Sequence, residues 1–394
     1  LLPAESPVEP PPNASPLDPL ANDPSATSLE PFYERLQKAA AILASENLAG
    51  VFVIHGTFAG PDSLGLLTEL GRVAPNARRR LTTWGKRLFD QVAGEIGNYT
   101  PAYCHRFERG LSLAAGERVP VHRLLWSSQN NHLGRADAAL RLLSQIADAA
   151  SGLPKARWRA ERPPGFLLWA HSHGGNAVAL VSQLLAADAD ARAEFFAATR
   201  SYSRRWCRAT AQEPHWDRAP ALLADAAHPL RRVRLDVATF GTPIRYGWAR
   251  QSCGRLVHFI NHRPSPKTPE YLAPSVLPPR PLRVLRPDGD YVQQMGIAGT
   301  NLPPFPLAFS ALVADVRLDR LLERNLRREL LLQRFSRRAR VPDAGHTLLV
   351  DYDPDREARC AEPWWGRLFG HGVYTQSRWL PWHLEQFVSH AADE

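Results

Sequence analysis

The strongest constraint on how this chain can fold is an alternation. Strand-length runs rich in apolar residues recur along it: Val51–Ile54, Val119–Trp126, Gly165–Ala170, Val233–Phe240, Leu256–Ile260 and Thr347–Tyr352. Most are apolar on successive residues, which suits strands covered on both faces rather than strands with one wet face. Between and around them the apolar period changes to that of a helix. Pro31–Asn47 carries Phe32, Leu36, Ala39, Ala40 and Leu43 on one stripe, and Leu133–Ala150 carries Ala136, Leu140, Leu143, Ile146 and Ala147. Gly174–Ala187 and Ser377–Ala391 read as further helices. Strands alternating with amphipathic helices predict an α/β chain with a mostly parallel central sheet and helices on both faces.

Residues 1–30 hold eight prolines and little apolar periodicity, which predicts a disordered tail outside the fold. Residues 31–394 then form the folded domain, and 44% hydrophobic residues are enough for a sizeable core. Two stretches break the alternation. Residues 188–232 are polar and Arg-rich, and residues 263–343 join a Pro-rich loop to a basic helix. Both are expected to be helical cap insertions over a site. No apolar run reaches the roughly 20 residues of a membrane span. No basic segment followed by an apolar stretch marks a signal peptide, so a cytoplasmic location is the default expectation.

The net charge of +9 rests on 44 arginines and only four lysines. Compositional bias explains such a balance; an anionic partner such as a membrane surface is the functional alternative. No nucleic-acid motif accompanies the charge. Arg317–Arg340 alone holds nine arginines against three acids, with Leu318, Leu321, Leu322, Leu326 and Leu330 on one face. That pattern predicts a core-facing helix with a solvated basic side, or else a lid or membrane contact. Cys104, Cys207, Cys253 and Cys360 are far apart, which excludes a zinc knuckle.

The segment richest in chemistry is Leu167-Leu168-Trp169-Ala170-His171-Ser172-His173-Gly174-Gly175-Asn176. A buried strand runs into a serine and a helix begins at once. A serine hydroxyl is a weak nucleophile and must stand clear of the sheet, where a histidine can reach it. A sharp strand-to-helix turn achieves this and crowds the positions two before and two after the serine, here Ala170 and Gly174. A metal reading of His171-x-His173 lacks further ligands, since no acidic residue follows closely. His171 is therefore expected to pack beside the turn.

The segment resembles the G-x-S-x-G nucleophile elbow of α/β-hydrolases, lipases and esterases in particular, with Ala170 in place of the first glycine. The resemblance implies an α/β-hydrolase fold, a Ser-His-Asp triad with Ser172 as nucleophile, and no metal or organic cofactor. It also implies an oxyanion hole made by the N–H of His173 and an N–H of the loop His55-Gly56-Thr57-Phe58, from Thr57 or Phe58. The base should follow the last strand. His371, in Gly370-His371-Gly372, meets that expectation; His346, in Ala344-Gly345-His346, sits at the amino end of the same strand and is the alternative. The acid should precede it in the chain, and Asp290 in Asp288-Gly289-Asp290-Tyr291 is favoured over Asp288. Trp126–His132 is expected either to edge the site or to cap the next helix, and Phe240-Gly241-Thr242-Pro243 to be structural near it.

The expected function is hydrolysis of a small-molecule or lipid carboxylic ester. An acyltransferase or thioesterase with the same triad, or a non-catalytic membrane-associated module, are the alternatives. Oligomeric state is not legible.

Overall fold

The computed structural model describes residues 1, 14–17, 29–57, 94–209, 215–262, 289–297, 301–304, 308–322, 340–352 and 370–390. These form one α/β unit around a parallel sheet. Its strands are β1 (Ala14–Leu17), β2 (Leu48–Ile54), β3 (Val121–Leu124), β4 (Gly165–His171), β5 (Arg234–Phe240), β6 (Leu256–Asn261) and β7 (His346–Val350). The sheet order is β1-β7-β6-β5-β4-β2-β3, with every neighbouring pair parallel. All carboxyl ends therefore lie along one edge. The register aligns Ile54 of β2 with Ala170 of β4, and His171 of β4 with Phe240 of β5.

The helices are α1 (Leu29–Ser45), α2 (Pro101–Ala115), α3 (His132–Ser151), α4 (His173–Ala186), α5 (Ala189–Ala209), α6 (His215–Ala224), α7 (Tyr291–Ile297), α8 (Phe309–Leu322) and α9 (Leu380–Ser389). Strand side chains alternate between two cores. Phe52, Ile54, Phe166, Leu168, Ala170, Leu235 and Val237 face a core shared with α3, α4, α5, α6 and α8. Val51, Val53, Leu167, Trp169, Ala238, Phe240, Val257 and Phe259 face the opposite core with α1, α2 and α9. This is the period of two expected of strands buried on both faces. Trp169 centres the second core. Its ring lies 4.5 Å from Phe240 and 5.3 Å from Phe107, and its Nε1–H donates to Tyr103 Oη at 2.9 Å.

Three features differ from the sequence reading. Ala14–Leu17 lies in the stretch expected to be a tail, yet it pairs in parallel with Thr347–Val350. It is an edge strand, one of the few places in a sheet where a proline such as Pro16 is tolerated. Pro101–Ala115 was not anticipated as a helix, although its ends are well signposted. The Thr100 hydroxyl accepts Tyr103 N–H, Pro101 sits in the first turn, and Gly116 closes the helix at φ 69°. The basic helix expected over Arg317–Arg340 begins earlier, at Phe309, and is described to Leu322; residues 323–339 lie outside the described part.

Residues 188–232, expected as a cap insertion, contain α5 and α6, which pack together and against α8 and α3. A buried carboxylate ties them down. Asp137 of α3 accepts His215 Nε2 and Trp216 Nε1, both at 2.8 Å, and Arg141 Nε at 2.7 Å. Burial alone would raise its pKa, but Arg141 and His215 hold it well below the usual carboxylate range. Among the described residues no helix is long and apolar enough to cross a membrane.

Candidate active site

Ser172 stands between β4 and α4 with φ 55° and ψ −133°. A serine side chain at positive φ is strained by on the order of 1–3 kcal/mol, and such a residue persists only where its surroundings fix it. Here they do. Ser172 N–H donates to Phe240 O at 2.8 Å, and Ser172 O accepts Gly175 N–H at 3.0 Å and the Thr242 hydroxyl at 2.9 Å. The tail of β5 thus grips both backbone ends of the serine, which gives Phe240-Gly241-Thr242-Pro243 its structural role.

The end of β2 packs directly against this turn. A Cβ on Gly56 would lie 2.5 Å from Ser172 Cβ, and one on Gly174 would lie 2.8 Å from the carbonyl oxygens of Ile54 and His55. Neither site admits a side chain without moving backbone, so the elbow and the His55-Gly56-Thr57 loop are in van der Waals contact because both residues are glycine. The loop after β3 braces the other side. Trp126 Nε1–H donates to His55 O at 3.0 Å, and Ser128, itself at φ 63°, donates its hydroxyl to Gly56 O at 2.9 Å. That hydroxyl then accepts from His55 Nδ1 at 3.0 Å. Asn131, four residues after Ser127, caps α3 by accepting Gly134 N–H at 2.7 Å. The Trp126–His132 segment therefore caps α3, as one of the two expectations had it, and also braces the His55-Gly56 loop. Thr57 follows Gly56 as the last described residue of this loop, and Phe58 lies outside the described residues.

His371 and Asp290 meet on the same edge. His371 Nδ1 lies 2.7 Å from Asp290 Oδ2. The chain leaves β6 at His262 and is described again from Gly289, with Asp290 N–H donating to Asn261 O at 3.0 Å. Asp290 is thereby placed at the end of β6 despite the long gap in sequence; Asp288 lies outside the described residues. Asp290 Oδ2 also accepts the Tyr374 hydroxyl at 2.8 Å, and Oδ1 accepts Gln293 N–H at 2.8 Å. The remaining ring nitrogen of His371, Nε2, is buried and has no partner among the described residues. Its neighbour on the elbow side is His171, whose ring centroid is 4.5 Å away and whose Nε2 lies 3.0 Å from His371 O. His171 thus packs beside the elbow, as expected, and also ties it to the His371 backbone. Burial, and then the adjacent His371, push its pKa well below the ordinary histidine value, so it is a neutral spacer.

His173, the first residue of α4, turns its side chain the other way. The two protons of the Asn176 amide go to His173 Nδ1 at 3.1 Å and Pro243 O at 3.0 Å, which leaves the His173 ring proton on Nε2. Burial, then Arg135 and Arg245, keep it neutral. Its backbone N–H, at the start of a helix, has no acceptor within the helix. His346 is not part of this assembly. It opens β7 at the amino edge, paired with Val257, and its ring stacks on His390 at 4.8 Å.

Arg340 was read only as the end of a solvated basic helix; it is instead 1% exposed, and this corrects that expectation for the residue. Its Nη1 donates to Asn261 O at 3.1 Å and lies 3.2 Å from His262 Nδ1. Tyr374, Gln293 and Asn261 were likewise not singled out. Tyr374 carried one weak signal, its place three residues after His371. Gln293, three residues after Asp290, carried an equally weak one; Asn261 and Arg340 come from distant parts of the chain and nothing local marks them. Among the described residues, no group of three or more His, Cys, Asp or Glu side chains is disposed to hold a metal ion. Compared with family models, with curated proteins and with solved structures, the chain matches none.

Proposed function

We propose that this protein is a serine hydrolase of the α/β-hydrolase type that cleaves a carboxylic ester, of a small molecule or a lipid, through Ser172, His371 and Asp290. One observation carries the reading. A serine held at positive φ on the carboxyl edge of a parallel sheet shares that edge with a buried His–Asp pair whose outer ring nitrogen, His371 Nε2, has no partner among the described residues. Such strain needs a purpose, and a nucleophile elbow supplies one. The chain order serine, acid, histidine also fits the type.

The chemistry follows from the positions. His371 Nε2 takes the Ser172 hydroxyl proton as Oγ bonds to the acyl carbon. Asp290, accepting Nδ1–H, fixes the tautomer that leaves Nε2 basic and stabilises the imidazolium that forms. The negative charge arising on the carbonyl oxygen is met by the N–H of His173 and by an N–H of the loop beginning at Thr57. His371 then returns its proton to the departing alcohol as the ester C–O bond breaks. Water, activated by the same imidazole, releases the acid from Ser172.

The test is covalent labelling with a fluorophosphonate. The wild type should be modified on Ser172 and Ser172→Ala should not. An unmodified wild type, or equal modification of the alanine variant, overturns the reading.

A further inference from the structure

Asp290 has more donors than a triad needs. Oδ2 receives His371 Nδ1 at 2.7 Å and the Tyr374 hydroxyl at 2.8 Å, while Oδ1 receives Gln293 N–H. The direction of the tyrosine bond is fixed by its other partner. Asn261 N–H donates to Tyr374 Oη at 2.7 Å. A phenol has a single proton; with Asn261 occupying its lone pair, that proton is committed to Asp290. Nor can the ring swing away. It packs edge-on against Tyr352 at 5.4 Å and lies 5.8 Å from the His171 ring, with no exposed surface.

We propose that Tyr374 is a positioning residue of the triad, whose hydroxyl competes with His371 for the charge on Asp290 Oδ2 and so lowers the pH at which His371 becomes a competent base. The inference rests on the serine-hydrolase reading. A carboxylate oxygen that already accepts a strong donor has less charge to offer the imidazolium. Without the hydroxyl, Asp290 holds the His371 proton more tightly, and the imidazole stays protonated, hence inactive, to a higher pH. Tyr374 itself does not ionise in this range, since burial and the charge of Asp290 raise its pKa well above the ordinary value.

The other groups facing the pair leave this effect to the hydroxyl. Arg340 is a fixed buried cation near Asp290, Tyr374 and Tyr291. Tyr352, whose pKa burial raises, is occupied by His383 Nε2 at 2.6 Å. His171 and His173, on the elbow side of His371, are held neutral by burial.

The experiment is the rate of fluorophosphonate labelling of Ser172 against pH, which reads the protonation of His371 without a known substrate. In Tyr374→Phe the acid-side midpoint should rise by about half a unit to one unit. With 3-fluorotyrosine at position 374, a stronger donor of the same shape, it should fall. A residue that merely filled space would lower Tm or the plateau rate and leave both midpoints where they are in the wild type. Wild-type labelling with unmoved midpoints in both variants overturns the inference alone; absence of wild-type labelling overturns the hydrolase reading and this inference with it. Should Tyr374→Phe fail to fold, the fluorotyrosine protein decides.

Discussion

Gly345-His346 and Gly370-His371 are the same dipeptide in the same backbone state. The two glycines sit at φ 80° and 78°, each turning the chain sharply ahead of an imidazole. They end on opposite edges of one sheet. His346 opens β7 and stacks on His390, while His371 follows β7 and meets Asp290. Their surroundings differ accordingly. A Cβ at Gly345 would press on Leu256, a core side chain, whereas one at Gly370 would collide with the carbonyl oxygen of Gly289, the residue before the acid. Local sequence makes both histidines prominent. Strand polarity puts only His371 on the edge where a parallel sheet binds its ligands, the carboxyl ends of the strands.

The widest separation between the two is expected in catalysis. His371→Ala, like Ser172→Ala, should lower the rate by ~10⁴-fold or more, whereas His346→Ala should stay within about threefold. Side-by-side kinetics on an activated ester would decide, and a dead His346→Ala enzyme beside a live His371→Ala enzyme would reverse the assignment. Next comes the acid. Asp290→Asn keeps the shape and loses the charge and tautomer control, so kcat should fall by ~10³- to 10⁴-fold with little change in fold. A fall below tenfold would mean that another carboxylate orients His371.

The glycines sharpen the comparison at a smaller scale. Alanine at either position forces a side chain into a left-handed backbone and a close contact, costing about 1–3 kcal/mol in chemical denaturation. Gly370→Ala should also depress activity in the protein that remains folded, because Asn261 Nδ2 donates to Gly370 O at 2.8 Å and the loop carries the base. Gly345→Ala should not. Equal activity losses in the two folded variants would break the contrast.

The smallest effects per residue are in acid stability. Burial pushes His258 to about 4, and His262 and His383 to about 3; His262 is lowered further by Arg340. His171 and His173 are lowered as well. These groups take up protons in the unfolded chain below pH ~6.5 but not in the folded one, so stability declines as pH falls through that value. At pH 5.5 each contributes about 1 kcal/mol of loss. The Tm should therefore drop between pH 7 and 5.5, and His383→Phe should flatten the slope. A Tm independent of pH over this interval would show that the buried imidazoles do titrate in the folded state.

Much of the site was legible because its signals are local. A strand-to-helix turn around a serine requires small neighbours, and Ala170 and Gly174 are written into ten consecutive residues. His55-Gly56 is similar: the backbone approach that excludes a Cβ can be met only by glycine. The acid was harder to choose. Asp288 and Asp290 are near neighbours in sequence; the chain returns to β6 through Asp290 N–H on Asn261 O, while Asp288 lies outside the described residues. Arg340 was misread because a run of arginines at helical spacing looks solvated, and only packing could reveal that one of them is buried behind the acid.

By itself the sequence determined the class of fold, since strand-length runs apolar on successive residues and helices of period 3.6 can bury their faces together in few ways. It also made Ser172 the candidate nucleophile, because the turn that exposes a serine constrains the residues on either side of it. Tertiary structure decided which of two Gly-His pairs meets a carboxylate at the carboxyl edge of the sheet, and that Tyr374 and Arg340 lie beside that carboxylate. Those choices depend on strand order and polarity, which are set by packing between residues far apart in the chain and leave no periodic trace within it.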